Sequence, residues 1–75
     1  MHNSAQLDRS YLALSHPARR VILERLTGGP ATIGEATKDL SISKPTVTKH
    51  VKLLEDARMV SRSVEGRQHR LRLEP

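Results

Sequence analysis

Apolar residues recur along the first half of the chain at spacings of three and four. Leu7, Tyr11 and Leu14 stand at i, i+4 and i+7 with Leu12 beside them, which is the stripe of an amphipathic helix. Ser4 can cap it and Ser15-His16-Pro17 breaks it, so the spacing predicts a helix over 5–14. Pro17 has no N–H to donate and suits the first turn of a second helix, over 17–26, with Ala18, Ile22, Leu23 and Leu26 inward and Thr27-Gly28-Gly29-Pro30 ending it. Thr32-Ile33-Gly34-Glu35 has the capping-box spacing and opens a short third helix over 33–40. Ser41-Ile42-Ser43 reads as a tight turn. Ser43 is a cap for a fourth helix over 44–57, with Pro45 in its first turn and Val47, Val51 and Leu54 as its buried stripe.

After Arg58 the period drops from near 3.6 to 2. Residues 59–64 read as a strand, Glu65-Gly66-Arg67-Gln68 as a turn, and 69–73 as the returning strand, alternating polar and apolar. The expected architecture is mainly α with a small β-hairpin, one domain over 1–75. The third and fourth helices, joined by three residues and followed directly by a hairpin, predict a winged helix-turn-helix.

Charge sharpens the picture. Lys and Arg total 13 against 8 Asp and Glu, a net charge of +5 over 75 residues, and the isoelectric point is about 10.5. Such an excess points to an anionic partner, nucleic acid or an acidic membrane surface. A chain this short buries only about 60% of the surface it exposes when unfolded, so a partner subunit would add stability. With one Tyr and no Phe or Trp, the core is aliphatic. The absence of cysteine excludes a disulfide scaffold, a thiolate metal site and a thiol nucleophile. No apolar run approaches the roughly 20 residues of a membrane span, and Met1-His2-Asn3-Ser4 is not a signal-peptide core. A cytoplasmic protein, nucleoid-associated when bound to DNA and with no membrane partner, is expected.

Opposite its valine-leucine stripe, the fourth helix carries Lys44, Thr46, Thr48, Lys49 and Lys52. The major groove of B-DNA admits one α-helix, and residues near that helix's N-terminus reach base edges first. Ser43, Lys44, Thr46 and Thr48 are therefore the base-reading candidates, and Lys49 and Lys52 the phosphate contacts. A Lys/Thr-rich face is by itself an ordinary solvated surface; its place after a short turn and before a basic hairpin selects recognition. Arg62, Arg67, Arg70 and Arg72 lie on or beside the hairpin. Arg67 at the turn is the candidate for a phosphate or a narrow minor groove, the others being equally suited to protecting an edge strand.

Leu12-Ala13-Leu14-Ser15-His16-Pro17-Ala18-Arg19-Arg20-Val21-Ile22-Leu23 resembles the ALADPTRRxIL segment of the ArsR-type (arsenic-repressor-like) winged-helix regulators. Ser43-Lys44-Pro45-Thr46-Val47-Thr48-Lys49-His50-Val51-Lys52-Leu53-Leu54 resembles their SQPAVSKHLKVL recognition helix. Ala57-Arg58-Met59-Val60 parallels AGLV, and Glu65-Gly66-Arg67 the wing turn. The resemblance covers about residues 10–75. It implies a homodimeric repressor on a palindromic operator, joined at least through the first helix. It points to Ser43, Lys44, Thr46, Thr48, Lys49, His50 and Arg67 as DNA contacts. His50 borders the buried stripe, where a packed, hydrogen-bonded histidine and a DNA contact are both open. The family has Gly where this chain has Ser41 and Arg58, which predicts that those two corners are built differently. Family members continue past the wing into a further dimerisation helix. Ending at Pro75, this chain is either truncated or dimerises through its first helix alone.

Metal sensing, the best-known activity of the family, is not expected. The stretch that binds metal in relatives reads Thr32-Ile33-Gly34-Glu35-Ala36-Thr37-Lys38-Asp39-Leu40, and His2, His16, His50 and His69 have no paired ligand spacing. No cofactor is expected. Asp8, Ser15 and His16 can be arranged on paper as a catalytic triad, but the chain has no nucleophile elbow, Gly-rich phosphate loop or HExxH motif. The reading that competes with DNA is a winged-helix module that binds protein or RNA, which the fold alone leaves open.

Overall fold

A computed structural model describes residues 4–75. The elements run α1 (Ser4–Leu14), α2 (Pro17–Leu26), β1 (Ala31–Thr32), α3 (Ile33–Thr37), α4 (Lys44–Asp56), β2 (Val60–Glu65) and β3 (Gln68–Leu73). The three strands form one antiparallel sheet in the order β1-β3-β2. Four helices with a three-stranded sheet whose long hairpin projects as a wing make a winged helix-turn-helix.

Local chemistry sets the helix boundaries. His16 caps α2 by accepting the Ala18 N–H at Nδ1, 3.0 Å away, with Pro17 in the first turn. Thr32 caps α3: its hydroxyl accepts the Glu35 N–H at 3.1 Å, and the Glu35 carboxylate accepts the Thr32 N–H at 2.9 Å. These bonds to Thr32 hold the Glu35 carboxyl below its ordinary range. Ser43 caps α4 with Pro45 in its first turn. At the far end of α4, the Met59 N–H bonds Leu54 O at 3.0 Å and the Arg58 N–H bonds Glu55 O at 2.9 Å. That is a Schellman cap, and it places Arg58 at φ +59°.

Several expectations from the sequence are corrected. The third helix ends at Thr37, not at 40. The Thr37 hydroxyl bonds back to Ile33 O at 2.7 Å, and the Leu40 N–H reaches Thr37 O at 3.0 Å, turning Leu40 down onto the core. The link to α4 is therefore residues 38–43, longer than three. The strands are 60–65 and 68–73, against the expected 59–64 and 69–73: pairing starts at Val60 with Leu73, and Glu65 and Gln68 pair as the last rung before the turn. The turn shrinks to Gly66-Arg67, and Gly66 supplies positive φ (+63°) at its first position, as a type II′ hairpin turn requires. Arg58 adopts the left-handed cap despite its side chain. Ser41 has no positive φ, so only that corner departs from a glycine geometry.

The core is a single aliphatic cluster. Ala13 of α1, Ile22 and Leu26 of α2, Ala31 of β1, Ala36 of α3, Val51 and Leu54 of α4, Val60 of β2 and Leu71 of β3 meet there with Ala57. Leu23 and Val47 pack at its edge. On α1 the apolar stripe faces outward: Leu7, Tyr11, Leu12 and Leu14 are exposed, Tyr11 to 78%. The inward face is Ala13, with Gln6 and Ser10 partly covered. Small side chains let α1 lie close, and the large ones are left facing solvent.

Candidate nucleic-acid interface

At about 100° per residue, α4 turns Val47, Val51 and Leu54 toward the core, Val51 and Leu54 fully. Lys49 and Lys52 lie opposite, with Lys44 and Thr48 on one flank, and all four are exposed. The ammonium groups of Lys44, Lys49 and Lys52 make no hydrogen bond or ion pair among the described residues. Thr46, on the other flank, is partly covered. Its hydroxyl lies 2.9 Å from the Ser43 hydroxyl, and its N–H is 3.4 Å from Ser43 Oγ. Ser43 and Thr46 thus form the cap of α4 as well as its leading edge. Thr48 donates its hydroxyl to Lys44 O at 3.1 Å.

Two open grooves lie between this face and the wing. One is lined by Ile33, Gly34, Thr37, Lys44, Val47 and Thr48. The other is lined by Thr32, Ile33, Gly34, Arg67, Gln68 and His69. Ile33 and Gly34 line both, so the start of α3 lies between the first turns of α4 and the wing turn. Lys44 lines the first groove and Arg67 the second.

The four wing arginines divide clearly. Arg62 donates in bidentate fashion to the Glu55 carboxylate and through Nη1 to His69 Nδ1 at 3.1 Å. Arg70 Nε lies 3.2 Å from Glu65 Oε1, and Arg72 Nε bonds Ser61 Oγ at 3.0 Å. Arg67 is exposed and makes no such bond among the described residues. Arg62 ties the wing to the end of α4; Arg67 is the wing arginine that has no hydrogen-bond or ion-pair partner among the described residues.

His50 is placed differently from the other candidates. It is only 5% exposed. Its Nδ1 lies 3.0 Å from Arg19 Nη1, and its ring is 4.6 Å from the His16 ring. Burial chiefly, then the charges of His16, Arg19 and Lys49, push its pKa down. The geometry is that of a packed, hydrogen-bonded histidine. The residue that the sequence reading missed is Arg19, buried to 6% exposure; nothing in its spacing distinguishes it from Arg20.

The triad drawn on paper does not assemble. The Ser15 hydroxyl donates to Leu12 O at 2.8 Å, and His16 Nδ1 holds the Ala18 N–H. Among the described residues no three His, Asp or Glu stand close enough to share a metal ion; His2 lies outside them. No described helix is long and apolar enough to cross a membrane.

Comparison with known proteins agrees with this fold. A helix-turn-helix domain family matches residues 14–62. The HTH-type transcriptional regulator Rv2034 of Mycobacterium tuberculosis is 41% identical over 68 residues, which are 91% of this chain and 64% of that protein. The chain thus spans just under two thirds of that relative's length. The transcriptional repressor SdpR of Bacillus subtilis is 35% identical over 60 residues, 80% of this chain and 67% of that one. A solved ArsR family transcriptional regulator superposes with a TM-score of 0.92 at 34% identity, covering 97% of this chain and 75% of its own. With the fold, the matched segment and these relatives in agreement, the chain belongs to the ArsR-type winged helix-turn-helix family of transcriptional regulators.

Proposed function

We propose that this chain is the DNA-reading domain of a transcriptional repressor, sequence-specific for double-stranded DNA. In this reading α4 enters the major groove. Ser43, Lys44, Thr46 and Thr48 meet base edges, Lys49 and Lys52 meet phosphates, and Arg67 reaches the backbone or the minor groove. The observation that carries it is the exposed set Lys44, Lys49 and Lys52 on α4, which with Arg67 of the wing turn makes no hydrogen bond or ion pair among the described residues, the two being flanked by grooves that share Ile33 and Gly34. B-DNA admits a helix where the deep, narrow major groove of A-form RNA does not, which favours DNA over RNA. The relatives' description as regulators and a repressor supports the regulatory half.

His50 takes a supporting place in this scheme: it stands behind the reading face and holds it from inside. The chain acts as a homodimer through α1, whose Leu7, Tyr11, Leu12 and Leu14 offer a second copy an apolar surface that the other described residues leave exposed. It acts without a metal, a cofactor or catalysis, in the cytoplasm, on nucleoid DNA.

A gel-shift series on duplex DNA, duplex RNA and both single strands tests the reading. Binding confined to duplex DNA and falling steeply with salt is expected. Equal retention of RNA, or no retention of any nucleic acid, contradicts it.

A further inference from the structure

Arg19 stands at the start of α2 with its guanidinium buried, and none of its partners is a carboxylate. Nη2 donates to Leu12 O at 2.6 Å and to Ser15 Oγ at 3.1 Å. Nε donates to Ala13 O at 3.1 Å, and Nη1 lies 3.0 Å from His50 Nδ1. Leu12 O and Ala13 O belong to the last turn of α1, where carbonyls lack intrahelical partners and the helix dipole favours a cation. The last turn of α1 has no basic residue of its own. Arg19 supplies that charge from the next helix, and Arg20 adds a bond to Leu14 O at 2.7 Å.

The fourth bond leaves α1 altogether. A guanidinium has donors and no acceptor, so His50 Nδ1 must accept and the ring proton must sit on Nε2. Arg19 therefore fixes both the position of α4 at its midpoint and the tautomer of the histidine there. A second tie, from Gln6 Nε2 to Ala57 O at 3.2 Å, holds the other end of α1 to the end of α4. Two separated ties define an angle between two helices; one would leave them free to pivot.

We propose that Arg19 is a positioning residue for DNA reading: by bonding the last turn of α1 and His50 of α4 at once, it fixes the angle between the helix that joins two copies and the helix that enters the groove, and so sets the half-site spacing the dimer accepts. This rests on the DNA reading above. Arg19 touches no base or phosphate in this scheme. Its effect is on the relation between the two reading helices and leaves each helix's own contacts alone.

The test compares wild type with Arg19→Lys and Arg19→Met on three kinds of duplex. One carries a single half-site, one carries both half-sites at the selected spacing, and one carries both with about five base pairs, half a helical turn, inserted. Nitrogen NMR of His50 reads the tautomer directly. Wild type should discriminate between the two spacings by at least about tenfold and show His50 protonated on Nε2. Arg19→Lys, which keeps charge and bulk but has no fork to span both helices, should bind the single half-site within about threefold of wild type, lose most of the spacing discrimination, and show a mixed tautomer. Arg19→Met should do the same more fully. If it fails to fold, Arg19→Lys still decides. Folded variants that keep the wild-type spacing discrimination, or that lose single and paired half-sites by one common factor, overturn the proposal. A wild type that binds no duplex overturns the DNA reading itself, and the two failures are thereby distinct.

Discussion

The Thr48 hydroxyl donates its proton to the carbonyl of Lys44 one turn earlier on α4, at 3.1 Å. With the proton directed along the helix, the outward side of the oxygen presents lone pairs and the side chain presents its methyl. In the major groove such an oxygen matches the amino donors of adenine N6 and cytosine N4, and the methyl matches that of thymine. Thr48→Ala should cost roughly 1–3 kcal/mol at one base position and relax preference there. Thr48→Val should keep any thymine contact and lose the amino contact. Competition among duplexes carrying each single-base change checks this; both variants matching wild type on every duplex removes Thr48 from base reading.

Lys49 lies opposite the buried stripe, exposed and without a hydrogen-bond or ion-pair partner among the described residues. A lysine that neutralises a phosphate contributes equally on every sequence. Lys49→Ala should lower affinity uniformly and reduce the slope of log K against log salt by about 1. Titrations at several salt concentrations on specific and unrelated duplexes read both quantities. An unchanged slope places Lys49 away from the backbone.

His50 gives the fold a dependence on pH whose sign follows from its depressed pKa. The folded state favours the neutral ring, because His50 is buried, accepts from Arg19 and faces His16 and Lys49. Below the ordinary value of 6.5 the unfolded chain takes up the proton first. The His50 contribution is therefore fully present above pH 6.5, and is lost as pH falls from there through the lower folded-state value. Denaturant midpoints measured between pH 7.5 and pH 5 should fall with pH, and His50→Gln should flatten that fall. An equally steep fall in His50→Gln assigns the dependence to other groups.

Arg58 occupies the left-handed position of the Schellman cap at φ +59°. A side chain there costs about 1–2 kcal/mol that glycine does not incur, offset by the greater freedom of glycine in the unfolded chain, about 0.4–1 kcal/mol. Arg58→Gly should stabilise the domain by about 0.5–1 kcal/mol, seen as a higher denaturant midpoint without a change in slope. A lower midpoint shows that the arginine side chain stabilises the fold in some other way.

The helices were legible because their signals are local. The capping box at Thr32 and Glu35, the Ser43 cap and Pro17 in a first turn each act within three or four residues, and all three are present. The outward face of α4 followed from the spacing of Val47, Val51 and Leu54 for the same reason. What periodicity could not supply was direction. On α1 the large apolar residues mark a real stripe, but a stripe can face a core or a second molecule, and Ala13 took the inward place. β1 is two residues long and exists only because Ala31 pairs Leu71 and Thr32 pairs Arg70, partners some forty residues away. Arg19 escaped notice because its role comes from carbonyls and a ring nitrogen gathered from α1 and α4. Thr37 ended α3 through its own hydroxyl, a competition that a capping pattern at the other end does not reveal.

Selection of bound duplexes from a random pool, with the intact chain as bait, tests the central claim that the outward face of α4 reads DNA as one half of a pair. The expected product is an enriched palindrome whose half-sites are centred about 34 Å apart, with enrichment lost when Lys44, Thr48 and Lys49 are replaced together by Ala. A pool that stays random, or a motif that survives that triple replacement, contradicts it.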